Sequence, residues 1–471
     1  MSAGSYIDDS RFLRFARWHA SPSRKAPSPP GGDGPLGHLR AMRDDQLRFF
    51  LDAREACGDI SRFRFVVLPS HLLAHPEHVR HVLVDEHRAY DKQTKGFAAL
   101  RIVLGNGLLT SEGEFWRRQR RIAQPAFHKE RIASFGEAMV RAAESTAREW
   151  EDVAKRGATL DVAAEMMRLT LRIAGETLLS TDVTRDAAAV GRAVGVLLNE
   201  ANGRILQPIE IPLSVPTKAN RAVVAAMSAL DGVVLRMIED RRRMTSGRPN
   251  DLLTMLMEAR DEETGEGMTD QQLRDEVLTI FLAGHETTAN ALGWTFYLLS
   301  LHPGAARRMH AELHDVLRGR PPEVADLGKL TFTTAVLKEA MRLYPPAWII
   351  GRRAVQGDTV DGYEIPPDSI VFVSPWVTHR HPAFWPNPEG FDPERFLPER
   401  AAEIHRYAYF PFGAGPRICI GQGFAMIEAV LLLAALAQRF RLDLVPGHRV
   451  VPQASITLRP RYGILARPIA R

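Results

Sequence analysis

The residue with the most distinctive chemistry is Cys419. It sits in the stretch Tyr409 to Met426, YFPFGAGPRICIGQGFAM, a loop too rich in glycine and proline to be helix or strand, and it is one of two cysteines in the chain. An amphipathic run, GQGFAMIEAVLLLAALAQRF, begins directly after it. Backbone N–H groups and the positive end of a helix stabilise a thiolate, and Cys419 stands just ahead of such an end. Gly413, Gly415 and Gly421 let the chain turn tightly and leave room for a flat partner. Arg417, two residues before the cysteine, is placed to meet an anionic group. The loop therefore offers a single soft ligand from a rigid cradle. On residue type alone a lone cysteine is more often a small core hydrophobe. Zinc is disfavoured, because no Cys-x-x-Cys occurs and the other cysteine, Cys57, is remote.

A second group is Ala283-Gly284-His285-Glu286-Thr287-Thr288, in the middle of the longest helical pattern. A glycine there costs about 1 kcal/mol relative to alanine, threonine hydroxyls compete for helix carbonyls, and Glu286 and His285 are expensive to bury unpaired. Weakening a helix at its centre marks a functional site; a solvated polar face is the plainer alternative. Glu339 and Arg342 stand three apart and share a helix face. Arg395 follows in a meander, FDPERF. Trp116 and Arg120, in FWRRQRR, lie one helical turn apart, and an arginine fork suits a carboxylate.

These residues need long helices to position them. The segment MTDQQLRDEVLTIFLAGHETTANALGWTFYLLSLHP predicts a buried helix of about 33 residues, roughly 50 Å long. Thr269 with Gln272 gives its capping-box start, and Pro303 ends it. A helix from about Leu327 ends at Leu343, before Tyr344-Pro345-Pro346. Further helical patterns run from His38 to Cys57, Glu112 to Leu179 and Asp186 to Arg260, with Ile205 to Pro216 interrupted by prolines. Ile60 to Leu68 alternates like a strand, Thr94 to Leu109 reads as a glycine-marked loop, and the tail SITLRPRYGILARP reads as a hairpin. Residues 1–37 form an irregular Pro/Gly-rich lead-in, and 38–471 read as one large domain, mainly α with a small β region. Forty-five per cent apolar and 25 per cent charged residues suit a globular protein. The net charge of +5 comes with no basic tract interleaved with aromatics, so nucleic-acid binding is not expected. Two cysteines fit a reducing compartment. With no apolar run near 20 residues and no signal-peptide layout, a cytoplasmic protein without a membrane anchor is expected.

Phe412, Gly415, Arg417, Cys419 and Gly421 reproduce F-x-x-G-x-R-x-C-x-G, which resembles the haem-binding loop of the cytochromes P450. AGHETT resembles that family's helix segment over the haem, and KEAMR with PERF resembles its E-x-x-R helix and meander arginine. The resemblance covers about His38 to the end and implies the cytochrome P450 fold with haem b as cofactor. It assigns Cys419 as the metal ligand, with Phe412, Gly413, Gly421, Ala283 and Gly284 beside the haem. Trp116, Arg120, Arg417 and Arg352 are implied for the propionates, with Arg353 an open alternative to Arg352. Glu286 and Thr287 are implied as the acid–alcohol pair that delivers protons for O–O cleavage. Glu339, Arg342 and Arg395 are implied as a structural lock.

The reaction implied is insertion of one oxygen atom of O2 into a mid-sized, largely apolar substrate such as a fatty acid or terpenoid. No fused reductase is expected, so electrons come from a ferredoxin or flavodoxin with its NAD(P)H-dependent reductase. A peroxide-driven peroxygenase, a haem-thiolate isomerase or a non-catalytic haem-thiolate protein would need no proton relay. Family position places Leu100, Val103, Ala283, Ala347, Ile349, Ile350 and Ile456 around the substrate. Arg101 and Glu210 are the charges in the surrounding segments. Arg101 or Arg204 is a possible anchor at the mouth for a single carboxylate.

Overall fold

The computed structural model describes residues 24–178, 187–207, 211–249, 251–261 and 263–471. Most of the expected lead-in (residues 1–23) and Glu210 lie outside them. Residues 24–37 form no helix; isolated bridges tie Arg24 to Tyr363 and Gly37 to Phe65.

The strand read over Ile60 to Leu68 is shorter: β1 (Ile60–Phe65) ends where Val66, at φ 58°, turns the chain into β2 (Leu68–Leu73), its antiparallel partner. After β3 (Tyr90–Asp91) comes a larger departure from the sequence reading. Thr94 to Leu109 is not simply a loop but carries α1 (Lys95–Leu104). Thr94 caps it by accepting from the Phe97 N–H at 3.3 Å, and Gly105 ends it at φ 62°. The glycines bracket this helix rather than break it.

The long pattern from Glu112 to Leu179 is likewise divided. It contains α2 (Gly113–Ala123), a tight turn at Pro125, helices over Lys129–Ser134 and Gly136–Lys155, the short β4 (Leu160–Asp161) and α3 (Val162–Leu178). Next come α4 (Ala187–Leu206) and α5 (Lys218–Arg243).

The central helix α6 (Asp270–Leu301) starts with the expected capping box between Thr269 and Gln272. Its 32 residues span about 48 Å. It packs against α3, α5, α7 (Thr331–Leu343) and the helix that follows the cysteine loop, α8 (Gln422–Ala437). Trp294 is fully buried, stacks on Tyr344 with centroids 4.2 Å apart and donates to the Leu458 carbonyl at 3.0 Å.

Strands β5 (Ile350–Ala354) and β8 (Ile370–Val373) complete a sheet of order β1-β2-β8-β5-β3, in which only β2 and β8 run parallel. Between them β6 (Asp358–Val360) and β7 (Tyr363–Ile365) make a hairpin. At the C-terminus β10 (Pro452–Ala454) pairs with β11 (Leu458–Pro460). The last strand, β12 (Leu465–Ala470), does not join that hairpin; it lies between β9 (Phe440–Leu444) and β4.

One buried lock ties α7 to the meander. The fully buried Arg342 donates to Glu339 at 2.7 and 2.8 Å and to the carbonyls of His379, Pro388 and Gly390. Arg395 stands 3.5 Å from Glu339. Tyr409, at the start of the cysteine loop, donates to the Lys338 carbonyl on the same helix.

Candidate functional site

The cysteine loop is shaped by backbone contacts before any side chain is considered. The Cys419 N–H donates to the Phe412 carbonyl at 2.9 Å, closing the loop on itself. Gly415 has φ 67°, and a Cβ there would stand 1.9 Å from the Leu83 carbonyl oxygen, so this position admits only glycine. A Cβ at Gly421 would stand 3.9 Å from the cysteine sulfur, in ordinary contact. The accessible surface of Cys419 opens into a cavity of about 710 Å³ within the protein. Burial of the loop pushes its thiol up, while the N–H groups of Gly421 and Gln422 and the Arg120 guanidinium act in the opposite direction.

One rim of this cavity is cationic. Arg417 lies over the Trp116 ring at 3.6 Å, donates to the Ser111 carbonyl and pairs with Glu112 at 2.9 Å. Arg120, on α2 with Trp116, donates to the Ile418 carbonyl at 2.7 Å. Arg352 is buried in the cavity wall with its own chain's Gly351 carbonyl as hydrogen-bond acceptor, and burial holds it down to about 10. Burial also lowers Arg417 to about 10. Arg353 points the other way, to Asp91 at 2.5 Å and Asp368 at 3.2 Å, which distinguishes the two neighbours.

Lys92 belongs to the same rim and escaped the sequence reading. It is buried, donates to the Leu109 carbonyl at 2.7 Å, and is pushed well below the ordinary lysine range by burial and by Arg352 and Arg417. A single lysine between a short strand and a helix cap carries no pattern to betray it. Buried cations in this excess demand anions. The rim, the glycine cradle and the thiol beneath fit a flat, largely apolar group with anionic arms and a metal centre, which is the shape and charge of a haem.

Elsewhere on α2, Arg118 donates to the Gly267 carbonyl and Arg121 pairs with Asp261 and Glu263.

Helix α6 borders the same cavity as the thiol. Its Ala283, Gly284, Glu286 and Thr287 all line the cavity. The carbonyls of Phe281, Ala283, Gly284 and His285 each accept a side-chain hydrogen bond, from His285, Thr287, Thr288 and Thr170 respectively. The helix is therefore drawn on from several sides where it crosses the cavity. Glu286 and Thr287 do not bond to each other. Glu286 is buried and accepts from the Thr457 hydroxyl at 2.6 Å, and Asn290 donates to that hydroxyl at 3.1 Å.

Much of the remaining wall is apolar. Leu100 and Val103 come from α1, Ala347, Ile349 and Ile350 from the approach to β5, and Ile456 from the β10–β11 turn. Phe412 and Gly413 complete the floor. Neither proposed carboxylate anchor faces this space. Arg101 donates to the Thr110 carbonyl, and Arg204 to the Ile211 carbonyl and the Asn220 side chain.

The family model described as Cytochrome P450 matches residues 29–465. Cyclooctatin synthase of Streptomyces melanosporofaciens is 41% identical over 93% of this chain and 94% of its own. Cyclooctat-9-en-7-ol 5-monooxygenase of the same organism is 39% identical over 89% and 90%. Pentalenene oxygenase of Streptomyces avermitilis is 34% identical over 91% and 94%. Among solved structures, the cytochrome P450DA heme domain superposes with a TM-score of 0.85 at 29% identity, covering 95% of this chain and 98% of that one. Among the described residues no helix is long and apolar enough to cross a membrane.

Proposed function

This chain belongs to the cytochrome P450 family and is a haem monooxygenase, and from that premise we propose that it oxygenates a mid-sized, apolar terpenoid, with Cys419 as the thiolate ligand of haem b. The observation that carries the reading is the joint lining of one cavity by the Cys419 thiol, the Glu286–Thr287 face of α6 and aliphatic walls. Bound haem supplies the redox chemistry that activates O2.

The chain's own contributions follow from the geometry. Trp116, Arg120, Arg352, Arg417 and Lys92 hold the anionic arms, offsetting their own desolvation. Gly413 and Gly421, which line the cavity, let the ring approach the loop, while Gly415 seats the loop against the Leu83 carbonyl. Thr287, whose hydroxyl donates to the Ala283 carbonyl at 2.7 Å, and Glu286, oriented by Thr457, hold and pass protons on the side of the cavity facing the thiol. Leu100, Val103, Ile349, Ile350 and Ile456 exclude water and orient the substrate. A terpenoid is favoured over a fatty acid because Arg101 and Arg204 are engaged elsewhere. Three relatives are named for terpenoid products or substrates, which supports the same choice. Electrons are supplied by a ferredoxin or flavodoxin with its reductase.

The test pairs a spectrum with turnover. Cys419→Ser is expected to abolish the thiolate-type spectrum of the reduced, CO-bound protein, and Cys57→Ser to preserve it. With NADPH, reductase and ferredoxin, the wild type is expected to oxygenate cyclic terpenes. Loss of the spectrum in Cys57→Ser rather than Cys419→Ser would overturn the ligand assignment.

A further inference from the structure

Helix α4 packs on α1 and α5 and turns one narrow face to the cavity. Leu198, Asn202 and Ile205 line it, spaced four and three residues apart, so their side chains form a single stripe. Asn199 and Gly203, on other faces of the helix, are exposed and do not line it. Asn202 is the polar member of the stripe. It is half-buried, its carboxamide has no hydrogen-bond partner among the described residues, and packing seals neither Oδ1 nor Nδ2.

Other polar groups of the cavity are engaged. Thr287 and Thr288 donate to carbonyls one turn back, Thr457 donates to Glu286, and Ser455 accepts from Arg459. Asn202 stands instead between leucine and isoleucine, about 6 Å along the helix from Leu198 and about 4.5 Å from Ile205. While the cavity is open to water, water satisfies such an amide. A hydrocarbon that fills the space displaces the water and leaves a donor and an acceptor unpaired. A hydroxyl group replaces it, because it can accept from Nδ2 or donate to Oδ1. A carboxylate is a poorer match: it only accepts, and the cation two residues on, Arg204, is taken up by the Ile211 carbonyl and the Asn220 side chain.

We infer that Asn202 is a specificity-determining residue that binds a neutral oxygen of the substrate, and that this substrate is a terpene alcohol rather than the parent hydrocarbon or its acid. The inference rests on the terpenoid reading above. It places the enzyme after a reaction that has installed a hydroxyl group on the carbon skeleton.

The experiment titrates the ferric holoenzyme with two matched series, abietadiene, abietadienol and abietic acid, and cedrane with cedrol, following the haem spin state. One neutral hydrogen bond makes the expected preference for an alcohol over its hydrocarbon about three- to tenfold in Kd. Asn202→Leu, close in size, is expected to erase most of that ratio by weakening alcohol binding, with the hydrocarbon bound as well as before or better. Asn202→Ala serves the same comparison should the leucine variant fail to hold haem. Gln46 is a second amide that lines the cavity, and Gln46→Leu is expected to leave the ratio intact. Equal binding of alcohol and hydrocarbon by the wild type, a preference for the acid, or an unaltered ratio in the Asn202 variants overturns the anchor and leaves the terpenoid reading standing. If none of the five compounds shifts the wild-type spin state, the terpenoid reading falls, and this inference with it.

Discussion

The Thr457 hydroxyl donates to Glu286 Oε1 at 2.6 Å, joining residues 171 positions apart. The turn of the C-terminal hairpin thus sets the direction of a carboxylate in the middle of the central helix. Asn290, one turn further along that helix, donates to the same hydroxyl at 3.1 Å and fixes it from behind.

Loss of this bond is expected to show in coupling rather than in binding. A hydrogen bond to a charged group is worth about 1.5–3 kcal/mol, so Thr457→Val leaves Glu286 free to reorient. The variant is expected to bind substrate normally yet send more reducing equivalents into hydrogen peroxide. Thr287→Ala is expected to do so more strongly, since general acid–base steps contribute about 10²–10⁴-fold. NADPH consumed, product formed and peroxide released are the quantities to compare. Wild-type coupling in both variants would remove these residues from the proton route.

The Glu339–Arg342 pair gives a stability prediction. Breaking one partner of a buried ion pair costs about 3–5 kcal/mol, and Arg342 also holds three carbonyls of the meander. Glu339→Ala is expected to lower the urea midpoint sharply and to reduce the yield of haem-loaded protein. The surface substitution Arg117→Ala, at an exposed i, i+3 pair with Glu114, is expected to change neither.

Two buried acids predict a pH dependence. Burial pushes Glu428 on α8 up to about 8 and Glu276 on α6 up to about 7. Both values lie above that of an unfolded glutamate, so the folded protein holds these protons more tightly. The stability they confer is complete below about pH 4.5 and is lost as pH rises toward 7 and 8. Each acid lowers folding stability by up to about 1.4 kcal/mol per pH unit inside its window. Glu428→Gln, which mimics the protonated acid, is expected to flatten urea-derived stability of the holoenzyme between pH 5.5 and 7.5. An unchanged slope would show that Glu428 is ionised throughout.

Legibility in the sequence followed the range of the interactions. The Thr269 capping box and the course of α6 are local signals, and both were readable. Motif residues such as Cys419 and Arg417 were readable because their spacing is fixed within one loop. Lys92 was not, since its place in the rim comes from Arg352 and Arg417, hundreds of residues away. Helix α1 was misread because Gly96 and Gly105 look like breakers until the cap geometry is known. The bond from Thr457 to Glu286 depends on side-chain packing, which no single-sequence pattern encodes. The separation of β12 from the neighbouring hairpin depends on β9 and on β4, the latter far away in the chain.

The cavity draws its walls and floor from separate sources. Leu100, Leu198, Ile349 and Ile456 reach it from α1, α4, the approach to β5 and the β10–β11 turn, whereas Cys419 stands on a loop where Gly415 is wedged against the Leu83 carbonyl. Exchanges at the wall leave that loop untouched; exchanges at Gly415 do not. Duplicated copies of such a gene can therefore drift toward new carbon skeletons one substitution at a time, each step remaining a working enzyme, while the loop stays frozen. A mutational library built on this protein should show the same division, with many tolerated changes along the walls and almost none at the wedge.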